Sequence, residues 1–165
     1  MRNFKHTESV YSKKIKTVTL KLNPEHVADP EGNAKARSAD EVYEILKAIF
    51  AQLDDDQEHL IMLVLNISGD VSGFKVVSSG TQNASSGDPK IIFRNALMLG
   101  AVKIILAHNH PSGSLKPSTA DIGFTEKVIE AGKAIDIPLV DHIIFTPKGY
   151  TSMRADRYCA FEAFA

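Results

Sequence analysis

Two histidines, His108 and His110, stand one residue apart, and Asp121 follows eleven positions after the second. Two imidazoles and a carboxylate are the three side-chain ligands that a hydrolytic zinc site requires, with the fourth position kept for water. Each member also has a plainer explanation. Ser118-Thr119-Ala120-Asp121 is a helix-capping pattern, in which the carboxylate answers the N-terminal amides. Two histidines at a strand end can be ordinary hydrogen-bonded polar groups. The joint pattern is more demanding: His-x-His-Pro, a loop over 111–117, then Ser-x-x-Asp. It points to a metal cleft. Two neutral imidazoles and one carboxylate would leave a Zn2+ site with a net positive charge, which draws the pKa of a bound water toward ~7.

Such a cleft needs elements to position it. Residues two apart on a strand share a face. His108 and His110, ending the apolar run 102–107, can therefore point into one cleft while Asn109 points away. Pro111 cannot donate to a ladder and marks the strand's end, and α/β sheets place their crevices at the carboxyl ends of strands. Ser118 is read as the N-cap of a helix reaching about Lys133, with Asp121 in its first turn. Upstream, Ser38 and Glu41 form a capping box that opens a helix over 39–53, where Val42, Ile45, Leu46 and Ile49 recur at helical spacing. The nearly continuous apolar run 60–67 reads as a buried strand. A turn at 68–70 and a return strand at 74–78 complete a hairpin.

Asp88-Pro89 opens a further helix carrying Ile91, Ile92, Ala96, Leu97 and Leu99, with Gly100 at its C-terminal cap. Residues 138–145 and 150–153 form a closing hairpin around Pro147-Lys148-Gly149. Residues 1–37 read as an N-terminal extension: 1–14 loosely ordered, one strand where Ile15, Thr17 and Thr19 alternate with Lys16, Val18 and Leu20, then a loop over 23–37. This order describes a mixed α/β domain with helices covering a central sheet, and it leaves the strand order open.

The chain has 165 residues, 44% hydrophobic and 24% charged, which suits one soluble domain with a proper core. Its formal charge of -1 carries no signature of nucleic-acid binding. Lys13, Lys14, Lys16 and Lys21 read as a solvated edge or tail rather than a phosphate dock. Cys159 is the single cysteine, so no internal disulfide is expected and a reducing cytoplasm fits. No signal-peptide pattern and no apolar run of membrane-spanning length is present. Asp54-Asp55-Asp56 lacks the alternating oxygen ligands and glycine of a calcium loop and reads as a solvated turn.

The run His108-Asn109-His110-Pro111 with Ser118 and Asp121 resembles the JAMM motif of the MPN/JAB metalloprotease-like superfamily. The stretch 106–113, together with Asp141-His142-Ile143-Ile144, resembles the RadC family within it. The resemblance covers roughly residues 38–155 and implies an MPN/JAB-type, cytidine-deaminase-like α/β fold, a mixed β-sheet flanked by helices, in a domain spanning 38–165. It implies zinc held by His108, His110 and Asp121. It places Glu58, at the mouth of an apolar strand, as the general base, and Ser118 as a hydrogen-bond donor to the oxyanion of a tetrahedral intermediate. A hydroxyl that also caps the helix is expected to favour one of these two roles. Two departures stand out. The first 37 residues are expected to lack the helix-hairpin-helix element of longer relatives, and Pro89-Lys90-Ile91 stands where the family has Pro-Arg-Glu.

The expectation is a zinc-dependent hydrolase cleaving an amide, peptide or isopeptide bond, with a peptide or protein substrate, no membrane partner, and an oligomeric state left open. The alternative is a non-catalytic zinc-binding interaction module of a DNA-repair or mobile-element pathway. The family's DNA-repair label follows from nothing in these residues. Other hydrolytic sites lack their parts: His-Glu-x-x-His, Gly-x-Ser-x-Gly, and the His-x-Glu with paired cysteines of zinc deaminases are all absent. Asp141 and His142 fall on opposite faces of a strand. An orienting role toward a zinc ligand for one of them and a plain core or surface role are both open.

Overall fold

The computed structural model describes residues 34–80 and 88–161. The strand expected near 15–20 and the N-terminal lysine cluster lie outside these residues. Helix α1 (Ala39–Phe50) is followed by the hairpin β1 (His59–Leu65) and β2 (Val71–Ser79), α2 (Pro89–Met98), β3 (Lys103–Asn109), α3 (Thr119–Ile135), and the closing hairpin β4 (Leu139–Thr146) and β5 (Gly149–Ser152). The strands form one sheet in the order β2-β1-β3-β4-β5. β3 and β4 run parallel with α3 as their crossover, and the other neighbours are antiparallel. The sheet is therefore mixed and flanked by helices, as expected.

The continuous apolar runs have a direct cause. β1 and β3 lie inside the sheet, and all of β1 and nearly all of β3 is buried. α1 covers one face, packing Val42, Leu46, Ile49 and Phe50 on Ile61, Leu63, Ile105, Ala107, Ile143 and Phe145. α2 and α3 cover the other, where Ile92, Phe93, Val128 and Ile129 meet Leu60, Met62, Ile104 and Leu106. Each large aliphatic side chain buried in this way contributes roughly 1.5–3 kcal/mol. β3, like β1, thus has helices on both faces and strands on both edges.

Element ends follow local chemistry. Ser38 accepts from the Glu41 amide, but the Glu41 carboxylate takes the Arg37 N–H, so the expected capping box reaches one residue further back. α1 stops at Phe50 instead of continuing to 53. The Gln52 and Leu53 amides bond to the Ile49 and Phe50 carbonyls, three residues back, and tighten the last turn. α2 begins with Asp88 as N-cap and Pro89 in its first turn, and Gly100 (φ +67°) follows its C-cap, Leu99. Gly132 is required by space: a Cβ there would stand 2.6 Å from the Ile137 carbonyl oxygen and 3.2 Å from the Phe93 ring. No helix among the described residues is long and apolar enough to cross a membrane.

Candidate metal centre

β3 carries His108 in its last turn of pleat and His110 one residue beyond its end. His108 is paired with Leu60 on β1 and Ile144 on β4, so its backbone is held from both sides. Its side chain shares the face of Ile104 and Leu106, beneath α3. The chain then passes through the 111–117 loop and enters α3 at Ser118, whose hydroxyl oxygen accepts from the Asp121 amide at 3.1 Å. The Asp121 carboxylate returns the bond from the Ser118 amide at 2.6 Å. This is a complete capping box.

The same carboxylate faces both histidines. Its oxygens lie 3.3 Å from His108 Nε2 and 3.6 Å from His110 Nε2, and the two Nε2 atoms are 2.9 Å apart. Capping and ligation, the competing readings of Asp121, are thus compatible in one side chain. Donor atoms on a tetrahedral zinc with ~2.0 Å bonds would be separated by about 3.3 Å, close to these distances. His108, His110 and Asp121 are also the one group among the described residues whose candidate ligand atoms all fall within 4.8 Å of one another. The donor set fits Zn2+.

Electrostatics agree with a cluster built for positive charge. Burial raises the Asp121 pKa, but its contacts with His108 and His110 outweigh burial and hold the carboxyl far below the usual carboxylate range. His110 moves the other way: its contact with Asp121 raises its pKa against partial burial, with help from the Ser114 carbonyl and the charge of Glu58. The His110 Nδ1 lies 2.8 Å from the Ser114 carbonyl oxygen, which can only accept. The proton therefore sits on Nδ1, and Nε2 is turned toward the cluster.

Glu58 immediately precedes β1, and its side chain is exposed. The β1–β3 register pairs Leu60 with His108. Glu58 lies two residues before Leu60, outside the paired strand, and its charge acts on His110. Asn109 supplies a contact that the sequence did not announce. It points away from the histidines, as expected, and brackets Glu58: its Nδ2 donates to the Gln57 carbonyl at 2.8 Å and its Oδ1 accepts from the His59 amide at 2.7 Å. The His59 side chain is anchored in turn, with Nδ1 2.8 Å from Ser79 Oγ and Nε2 2.8 Å from the Asp54 carbonyl.

The two residues of β4 separate as strand alternation demands. Asp141 turns to the α1 face, where it accepts from the Ser152 hydroxyl and from the His142 and Arg154 amides. His142 turns to the metal face and is fully buried, with Nε2 2.8 Å from His108 Nδ1 and Nδ1 2.7 Å from Thr125 Oγ1. Thr125 also donates to the Asp121 carbonyl at 2.6 Å. Its signal in the sequence is its spacing, four residues after Asp121 and hence on the same helix face.

The family described as "RadC-like JAB domain" matches residues 36–158, a span that holds every element and every residue of the cluster. The chain belongs to this RadC-like JAB domain family. Among its relatives, a UPF0758 protein of Enterococcus faecalis is 43% identical over 106 residues, covering 64% of this chain and 46% of the relative. A UPF0758 protein of Methanococcoides burtonii is 39% identical over 124 residues, covering 75% and 53%. A third, from Carboxydothermus hydrogenoformans, is 40% identical over 118 residues, covering 72% and 51%. The chain spans about half the length of these curated relatives, whose names state no activity. RadC-like JAB membership accounts for the mixed sheet and for the placement of a His-His-Asp cluster at its rim.

Proposed function

We propose that the chain is a zinc-dependent hydrolase of the JAMM type, acting on an amide, peptide or isopeptide bond. The observation that carries this reading is the meeting of His108, His110 and Asp121 within 4.8 Å, and the charge of Glu58 acting on His110 supports Glu58 as the base. Zinc bound there supplies Lewis acidity and an activated water at neutral pH. The chain's own residues do the remainder. Glu58 accepts a proton from water in the cleft and returns it to the leaving amine, general acid–base work worth roughly 10²–10⁴ in rate.

Ser118 need not choose between its two expected roles. As a cap it uses an oxygen lone pair to accept from the Asp121 amide, which leaves its O–H proton for a developing oxyanion. The substrate class is a peptide or protein chain, and the site of action is the cytoplasm, in keeping with the lone thiol of Cys159. A formal charge of -1 gives no electrostatic footprint for DNA, so a connection to DNA repair would run through protein partners.

Glu58→Gln is expected to keep zinc while hydrolysis of a peptide or isopeptide substrate falls by about two orders of magnitude or more. Asp121→Ala is expected to lose both zinc and hydrolysis. Zinc-loaded wild-type protein that turns over no member of a broad amide and isopeptide panel would overturn the enzyme reading in favour of a zinc-binding interaction module.

A further inference from the structure

We propose that His142 and Thr125 are positioning residues, forming a buried one-way hydrogen-bond relay that fixes the tautomer of His108 and ties the β3 ligand to the α3 ligand. The proposal builds on the metal-site reading and is independent of the reaction that the site performs.

The direction of the relay follows from counting protons. Thr125 Oγ1 lies 2.6 Å from the Asp121 carbonyl oxygen. A carbonyl has no proton, so the Thr125 hydroxyl proton must lie in that contact. Thr125 Oγ1 is also 2.7 Å from His142 Nδ1. Its proton is already committed, so the proton in this second contact belongs to His142 Nδ1. With 0% of its surface exposed and with His108 Nδ1 and Thr125 Oγ1 as its hydrogen-bond partners, the His142 ring has no anion beside it to balance a second proton and is neutral. Its Nε2 is then bare. The 2.8 Å contact with His108 Nδ1 requires the proton on His108, and His108 Nε2 keeps its lone pair toward His110 and Asp121.

Neutral histidines left to themselves favour the proton on Nε2, so both residues of the relay are held in the less favoured form. Ser114 imposes the same form on His110 by a separate route. The two ligand histidines are thereby both committed to presenting Nε2. A ligating histidine more often donates its other N–H to a carboxylate or carbonyl. A neutral imidazole in that place orients His108 without adding negative charge, so the net charge set by the three ligands is left undiminished. Thr125 completes the arrangement because one hydroxyl holds both the relay and the backbone of Asp121.

The test uses the full chain, with zinc affinity by competition with a chromophoric chelator and long-range 1H–15N imidazole spectra after chelator treatment. The wild-type spectrum is expected to show His142 and His108 as Nδ1–H tautomers. Thr125→Val keeps the shape and removes the hydroxyl; it is expected to weaken zinc binding by about 10–100-fold and to shift the His142 tautomer. Thr125→Ser should restore both. His142→Gln, whose carbonyl can accept from His108 Nδ1–H, should bind zinc better than His142→Leu. A His142 proton on Nε2, or a folded Thr125→Val protein with wild-type zinc affinity, would overturn the relay. If wild-type protein bound no zinc, the metal reading would fall while the tautomers still decided the relay, and an inactive protein with the expected tautomers and affinities would fault only the proposed reaction.

Discussion

The side chain between the two ligand histidines is bonded to the backbone on either side of Glu58. Asn109 donates to the Gln57 carbonyl and accepts from the His59 amide, so the strand that carries His108 also fixes the backbone on either side of Glu58. Asn109→Ala is expected to leave zinc binding near wild type, because neither Nε2 atom is touched. The unpaired backbone groups should cost about 1–3 kcal/mol of stability, and kcat should fall with little change in KM as Glu58 loses its bracket. Zinc content, urea unfolding and steady-state kinetics check the three parts separately. Equal activity in the variant would show that β1 pairing alone holds Glu58. At this scale the candidate ligands were legible because His-x-His and Ser-x-x-Asp are local spacings on one strand and one helix. Asn109 was not, since its partners lie some fifty residues upstream and are backbone groups, which carry no residue signature.

α3 performs two tasks at its N-terminus and meets a steric limit at the other end. Asp121 closes the capping box and faces the histidines with the same carboxylate, so the helix start and the site are one construction. Near the far end, Gly132 lets the Ile137 carbonyl approach to 2.6 Å from where a Cβ would lie. Gly132→Ala must therefore displace the connection into β4, at a cost of roughly 1–3 kcal/mol, read as a lower midpoint in urea at unchanged slope. The capping residues announced this helix, but a glycine needed for a long-range approach looks like any other glycine in sequence.

The β4–β5 hairpin carries its own titration. Burial raises the Asp141 pKa against the lowering effect of its bonds from Ser152, Arg154 and His142. The folded protein then holds this proton to higher pH than the unfolded chain does. Its contribution to stability is full below the ordinary carboxylate value, falls as pH rises through the window up to the raised value, and stays level above it. Asp141→Asn removes the titration, so wild-type stability measured relative to this variant should decline across that acidic window. A difference independent of pH would contradict the assignment.

Across the whole molecule, the cluster sits where three consecutive parts of the chain converge: β3 from the sheet interior, the 111–117 loop, and the start of α3. The sequence announced the helices and the continuous apolar strands through periodicity, yet it left the order β2-β1-β3-β4-β5 open, because pairing between distant strands leaves no local trace. The site depends on that order, since β3 lies between β1 and β4 and the backbone of His108 is held by both. Metal binding to the folded arrangement alone must stabilise every element that supplies a ligand. With free zinc at a hundredfold excess over Kd, the gain is about 2.7 kcal/mol, or roughly 5–10 °C in Tm for a chain of this size. Chelation should reverse that rise. Asp121→Asn separates the carboxylate's two tasks, because the amide oxygen can still accept from the Ser118 N–H while the ligand's charge is lost. The variant should melt close to the chelated wild type and gain little from added zinc. A full zinc-dependent rise in that variant would place the ion somewhere other than between His108, His110 and Asp121.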